Sequence, residues 1–114
     1  MSAPEGIVTK ISALVAEAER LQSDPPTPHW EDLTPSEQAE MRAFVEGVLA
    51  GRPVAQQHES WFADIVLAGW RYGETYDEAA KTDPDLVHWE SYTPERRAQL
   101  VAAARLVGAL SGLV

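Results

Sequence analysis

A seven-residue phrase occurs twice in this chain, and the repetition constrains the fold more than any other feature. His29-Trp30-Glu31-Asp32-Leu33-Thr34-Pro35 matches His88-Trp89-Glu90-Ser91-Tyr92-Thr93-Pro94, 59 positions later, with five identities in seven. Each copy ends in Thr-Pro, a helix-start signal: the threonine hydroxyl can cap exposed amides, and proline is tolerated in the first helical turn. The likeness continues downstream, where Ala39 aligns with Ala98, Met41 with Leu100 and Val48 with Val107. The expected fold class is therefore mainly α, with two pseudo-symmetric helix–turn–helix halves, about four helices in all. Irregular loops with room for short β pieces complete it. Neither half is large enough to be stable alone, so both are expected to share one core. The expected organisation is a single domain over 1–114, with a first half-repeat at 4–53 and a second at 54–112.

Apolar periodicity places the helices. The first is expected from about Pro4 to Gln22, with Ile7, Ile11, Leu14, Val15, Ala18 and Leu21 as its inward stripe. Asp24-Pro25-Pro26-Thr27-Pro28 ends it, because proline lacks an amide hydrogen and clashes with the preceding turn. The second starts at Thr34-Pro35-Ser36-Glu37, a capping-box sequence, and turns Met41, Phe44, Val45, Val48 and Leu49 inward. The third runs from about Val54 to Trp70, with His58, Trp61, Phe62, Ile65, Val66 and Gly69 along one side. The fourth runs from Thr93-Pro94 to about Leu110, with Leu100, Val101, Ala104, Val107 and Leu110 inward. Between the last two, residues 72–92 are expected to hold turns, a helical turn at Tyr76–Lys81 and short extended pieces, with no sustained strand pattern.

The net charge of −9 opposes binding to duplex nucleic acid or to an anionic membrane surface. It is spread evenly along the chain. Residues 1–57 carry nine acids and four bases, and residues 58–114 nine acids and five bases. With no cysteine, disulfides, a thiol nucleophile and Cys-ligated metal are excluded. The opening MSAPEGIVTKIS lacks a basic segment followed by an apolar one, so no signal peptide is expected. No apolar run approaches the roughly 20 residues of a membrane span. A cytoplasmic location is the expectation.

Catalytic motifs are missing: there is no phosphate-cradling glycine loop and no Gly-x-Ser-x-Gly. His58-Glu59 opens like a zinc-protease helix, but Phe62 stands where the second histidine belongs. His29, His58 and His88 are each expected to bond a local backbone group, and no metal or cofactor is expected. Trp30 and Trp89 occupy twin positions before helix starts and read as staples that lock the chain's entry. The remaining rings cluster around the third helix and its exit. His58 and Trp61 lie one turn apart on one face, and Trp70, Arg71 and Tyr72 follow between Gly69 and Gly73. On periodicity alone, these rings read as core.

The stretch His58-Glu59-Ser60-Trp61, then Gly69-Trp70-Arg71-Tyr72-Gly73, Asp77 and Lys81-Thr82-Asp83-Pro84-Asp85-Leu86-Val87 resembles the RyR domain. This is the repeat named after ryanodine receptors and also found in bacterial and phage proteins. Its pattern is H-E-x-W, seven residues, G-W-x-Y-G, then D and K-x-H-P-x-L-V. The match is gapless over about half the chain. Asp83 replaces the family's usual histidine, and His88 its usual proline.

The resemblance implies a non-enzymatic module. In the channels, tandem repeats form a cleft that takes an adenine nucleotide or a drug-like aromatic between tryptophans, and the H-x-x-W position, His58 and Trp61 here, carries this. The expected ligand is nucleotide-derived: an adenine nucleotide, an ADP-ribose type or a cyclic nucleotide signal of antiviral defence, either sensed or sequestered. Trp61 would stack on the base and His58 would bond an edge. Trp70 and Tyr72 would wall the pocket, and Arg71 or Lys81 would meet phosphate. The expected working surface is thus His58 through Lys81, with a homodimer as a means of completing the cleft. The rival expectation is a protein–protein interaction module using the same rings.

Overall fold

The computed structural model describes residues 5–113 and is mainly helical. It contains α1 (Glu5–Gln22), α2 (Pro35–Leu49), α3 (Val54–Leu67) and α4 (Pro94–Ser111). Two residue pairs, β1 (Arg71–Tyr72) and β2 (Thr82–Asp83), form a small parallel sheet. A 3₁₀ turn precedes α2 at Trp30–Asp32, and another precedes α4 at Trp89–Ser91. Pro4, the expected first residue of α1, lies outside the described residues. Among those described, no helix is long and apolar enough to cross a membrane.

The chain divides into two compact units, one holding residues up to Arg52 and from Val101 onward, the other Pro53–Leu100. α4 starts in the second unit and ends in the first. In the first unit, α1 packs along α2. Val8, Ile11, Val15, Val45 and Val107 are fully buried, with Met41, Phe44, Val48, Leu49 and Leu110 packed around them. Each of the fully buried side chains contributes about 1.5–3 kcal/mol by leaving water. The residues of this core include every inward residue expected on α2 and, of those expected on α4, Val107 and Leu110.

The buried face of α1 is rotated from the expected one. Val8, Ile11, Ser12, Val15 and Ala16 are buried, whereas Leu14 and Leu21 are 43% and 76% exposed. A serine at the centre of a helix face reads as polar in any periodicity count. Here its hydroxyl donates to the Val8 carbonyl at 2.7 Å, so it enters the core with its bond made.

α2 begins with a full capping box. The Glu37 amide donates to Thr34 Oγ1, and the Thr34 amide to Glu37 Oε1, both at 3.1 Å, with proline in the first turn. Gly51, at φ 81°, then provides a left-handed turn before Pro53, the N-cap of α3.

The repeated phrase adopts the same backbone twice. His29 and His88 enter their turns at φ/ψ −63/158° and −65/152°, and Leu33 and Tyr92 leave at −70/146° and −68/150°. What locks the turns is polar. Gln38 Nε2 donates to the Trp30 carbonyl at 2.8 Å. Its counterpart Arg97 donates to the carbonyls of Glu90 and Tyr92 at 3.2 and 2.9 Å. The two copies differ at one cap: Arg96 stands where Glu37 does, so Thr93 Oγ1 accepts the Arg96 amide at 3.1 Å with no acid to reciprocate.

In the second unit, α3 stops at Leu67, three residues before the expected Trp70. Gly69 takes φ 96°, and Lys81 Nζ reaches back to the Ala68 carbonyl at 3.0 Å. A cation at exposed C-terminal carbonyls is the favourable end of the helix dipole. In the sheet, Arg71 pairs with Thr82 and Tyr72 with Asp83. An antiparallel bridge from Asp77 to Thr82 closes the loop between the strands. The stretch expected as a helical turn at Tyr76–Lys81 is a hydrogen-bonded turn instead, held by Asp77 Oδ1 on the Ala80 amide at 3.1 Å. The short β pieces expected among the loops are β1 and β2, and strands of two residues carry no periodicity that could place them in the sequence.

Candidate functional site

Rings meet in the second unit where α3 faces the second 3₁₀ turn. His58 is the hub. Its ring centroid lies 5.4 Å from Trp61, 6.0 Å from Trp89 and 4.8 Å from Tyr92. His58 Nε2 bonds the Val87 carbonyl. A carbonyl only accepts, so this nitrogen carries the proton and the ring's orientation is fixed. One edge of His58 is therefore committed to the fold, leaving Nδ1 as its remaining polar group.

Next to His58 on α3, Glu59 clamps the turn with both oxygens. Oε2 pairs with His88 Nδ1 at 2.9 Å, and Oε1 accepts the Trp89 amide at 3.0 Å. The His88 bond first, and the Trp89 amide second, hold the Glu59 carboxyl below its ordinary value of 4.5. The other face of His88 stacks on Phe62, centroids 4.3 Å apart. Tyr92 is held as firmly. Its hydroxyl donates to the Asp85 carbonyl at 2.9 Å, and the Arg96 guanidinium lies 5.9 Å over its ring. Burial, then the Asp85 carboxylate, push its phenol up to about 12.

Beside this cluster is a shallow depression of about 550 Å³, lined by Ala55, Gln56, Glu59, His88, Trp89 and Glu90. Its chemistry is one indole, one imidazole, one amide and two carboxylates. Such a lining accepts hydrogen bonds and favours cationic or amino-bearing groups, and it repels phosphate.

The six residues expected at the site fall into two groups. His58 and Trp61 are together in the ring cluster. Trp70, Arg71, Tyr72 and Lys81 sit at the exit of α3. From His58 to Leu67 is nine residues, about 14 Å along a helix axis. Trp70 pairs with Tyr76 at 5.6 Å. Tyr72 is 56% exposed on β1. Arg71 is exposed beside it, and one Lys81 donor is taken by the α3 terminus.

Glu59, His88, Trp89 and Glu90 line the depression, and Tyr92 packs in the ring cluster beside it, none of them among the ligand contacts expected from the sequence. The repeated phrase had already placed Trp89 as a twin of Trp30, and that architectural reading hid its second position, on the wall of the depression. The signal was present in the difference between the copies: Tyr92 replaces Leu33, which adds a ring to one copy alone.

No family model matches the chain, and no curated protein matches it.

Proposed function

We propose that the protein is a non-enzymatic binding module for a nucleotide-derived ligand, held by its base at the depression beside Trp89. The observation that carries this reading is the Trp89 wall, backed by His58, Trp61 and Tyr92, with Glu90 alongside. An indole face stacks any flat heterocycle, and a carboxylate accepts from an exocyclic amine such as that of adenine. The resemblance to RyR domains, carried by His58-Glu59-Ser60-Trp61 and Gly69-Trp70-Arg71-Tyr72-Gly73, supports the same ligand class and the assignment to that family.

The lining refines the expectation. Two carboxylates disfavour phosphate in the depression, and Arg71 and Lys81 belong to the other end of α3. The base therefore enters, and any phosphates extend outward into water. The module takes part in sensing or sequestering a defence signal in the cytoplasm, as a homodimer. The test is calorimetry with adenosine, ATP, ADP-ribose, cyclic ADP-ribose and cyclic dinucleotides. The proposal expects saturable binding of at least one, with adenosine no weaker than ATP. No heat with any of them at millimolar concentration would overturn it, and recovery of altered ligand would overturn its non-enzymatic part.

A second reading has an observation of its own. Leu67, Tyr72 and Tyr76 are 87%, 56% and 58% exposed at the exit of α3. Exposed rings and a leucine in one stretch suit a protein contact. Substituting them would then abolish partner binding and leave nucleoside binding unchanged.

A further inference from the structure

The first unit holds a group of side chains that the nucleotide reading does not use. Glu17 on α1, His29 at the entrance to the first 3₁₀ turn and Glu31 within it bring one ligand atom each to within 4.8 Å of one another. We infer that these three side chains form a site for a divalent first-row transition cation, with zinc as its best fit.

The donor set supports this. One imidazole nitrogen and two carboxylate oxygens are the ligand types zinc takes in open sites, where water fills the remaining positions. Tetrahedral bonds of 2.0–2.2 Å put ligand atoms about 3.4 Å apart. His29 Nδ1 and Glu17 Oε1 are already 3.0 Å apart, so side-chain rotation at the exposed Glu31 closes the set. The charge points the same way. Two carboxylates meet one fixed cation, Arg20, which donates to Glu17 Oε2 at 2.9 Å, in a chain of net charge −9.

The second copy of the phrase provides an internal control. There too a helix glutamate meets the histidine, but both Glu59 oxygens are bound to the turn, one to His88 and one to the Trp89 amide. His88 is also stacked on Phe62. That arrangement is a structural clamp. Glu17 has its second oxygen on Arg20, a side chain that can share or yield a carboxylate carrying two lone pairs on each oxygen. Zinc would take the place of the hydrogen between His29 Nδ1 and Glu17, the imidazole keeping its one N–H on Nε2, and acid, which protonates the ligand atoms, would compete with it.

The test is calorimetry of the full chain with zinc chloride in a non-coordinating buffer. The expected result is one saturable site, lost in His29→Ala and at least about tenfold weaker in Glu31→Gln. His88→Ala and Glu90→Gln should leave it unchanged. Glu31 is exposed, so Glu31→Gln keeps the test valid even where His29→Ala disturbs folding. Absence of saturable binding, affinity unaltered by Glu31→Gln, or a site lost in His88→Ala would each overturn the inference.

Discussion

Glu59 and His88 are 29 residues apart in sequence and 2.9 Å apart in space, and their bond fastens α3 to the turn that carries Trp89. Because the same carboxylate also accepts the Trp89 amide, it fixes the wall of the depression through side chain and backbone together.

That clamp has a pH signature. The folded state holds the Glu59 carboxyl below its ordinary 4.5, so its stabilising effect is complete above 4.5 and fades as pH falls through the lower folded value. Glu17, lowered by Arg20 first and His29 second, behaves alike in the first unit. Glu59→Gln should flatten the acid limb of the stability curve below pH 4.5, measured by urea titration at several pH values. An acid limb unchanged in both Glu59→Gln and Glu17→Gln would contradict the clamp.

Tyr92 gives a signature at the other end of the scale. Its phenol, raised from 10.0 to about 12, contributes stability below pH 10 that is lost as pH rises toward 12. Of the three tyrosines, one should ionise late in an absorbance titration, and Tyr92→Phe should remove that late step. Absence of any late step would show that Tyr92 is neither buried nor bonded as described.

Gly73 is required by contact, not by φ. A Cβ there would sit 2.6 Å from Thr82 Cβ and 3.0 Å from its Cγ2, closer than atoms pack. Gly73→Ala should lower stability by about 1–3 kcal/mol, the usual range for overpacking, and disturb the amide signals of residues 71–83 most. Thr82→Ala, which leaves Cβ in place but loses the bond to the Thr75 carbonyl, should not rescue it.

The rotated face of α1 separates two readings of one helix. Ile11→Ala should cost about 2–5 kcal/mol as a core truncation. Leu21→Ala, at a 76% exposed position, should stay within about 0.5 kcal/mol. Equal losses at both would restore the stripe read from periodicity.

These cases show what the sequence made legible. Helix starts are written locally, in Thr34-Pro35 and Thr93-Pro94, and the repeated phrase folds alike in both places because the cap and turn bonds that its two copies share lie within ten residues. The buried side of α1 was misplaced because Ser12 satisfies itself within its own helix, which no hydropathy pattern records. The site was only half visible. His58 and Trp61 share a helix face and can be paired from spacing, but Trp89 and Tyr92, and the turn that Glu59 clamps, join them through a return of the chain some 30 residues later. The separation of Lys81 from that cluster was hidden for the same reason: its amine bonds a helix end that only the folded chain brings near.

In the binding mode proposed above, a base stacks on Trp89 with its phosphates left in water. This mode is tested most directly by calorimetric titration of adenosine and of ATP into the wild type, Trp89→Ala and Trp61→Ala, each checked for native circular dichroism. The expected result is adenosine binding at least as tight as ATP in the wild type, loss of both in Trp89→Ala, and weakening in Trp61→Ala, which backs the cluster from α3. Binding that survives Trp89→Ala, or ATP binding that far exceeds adenosine and depends on Arg71 and Lys81, would contradict it.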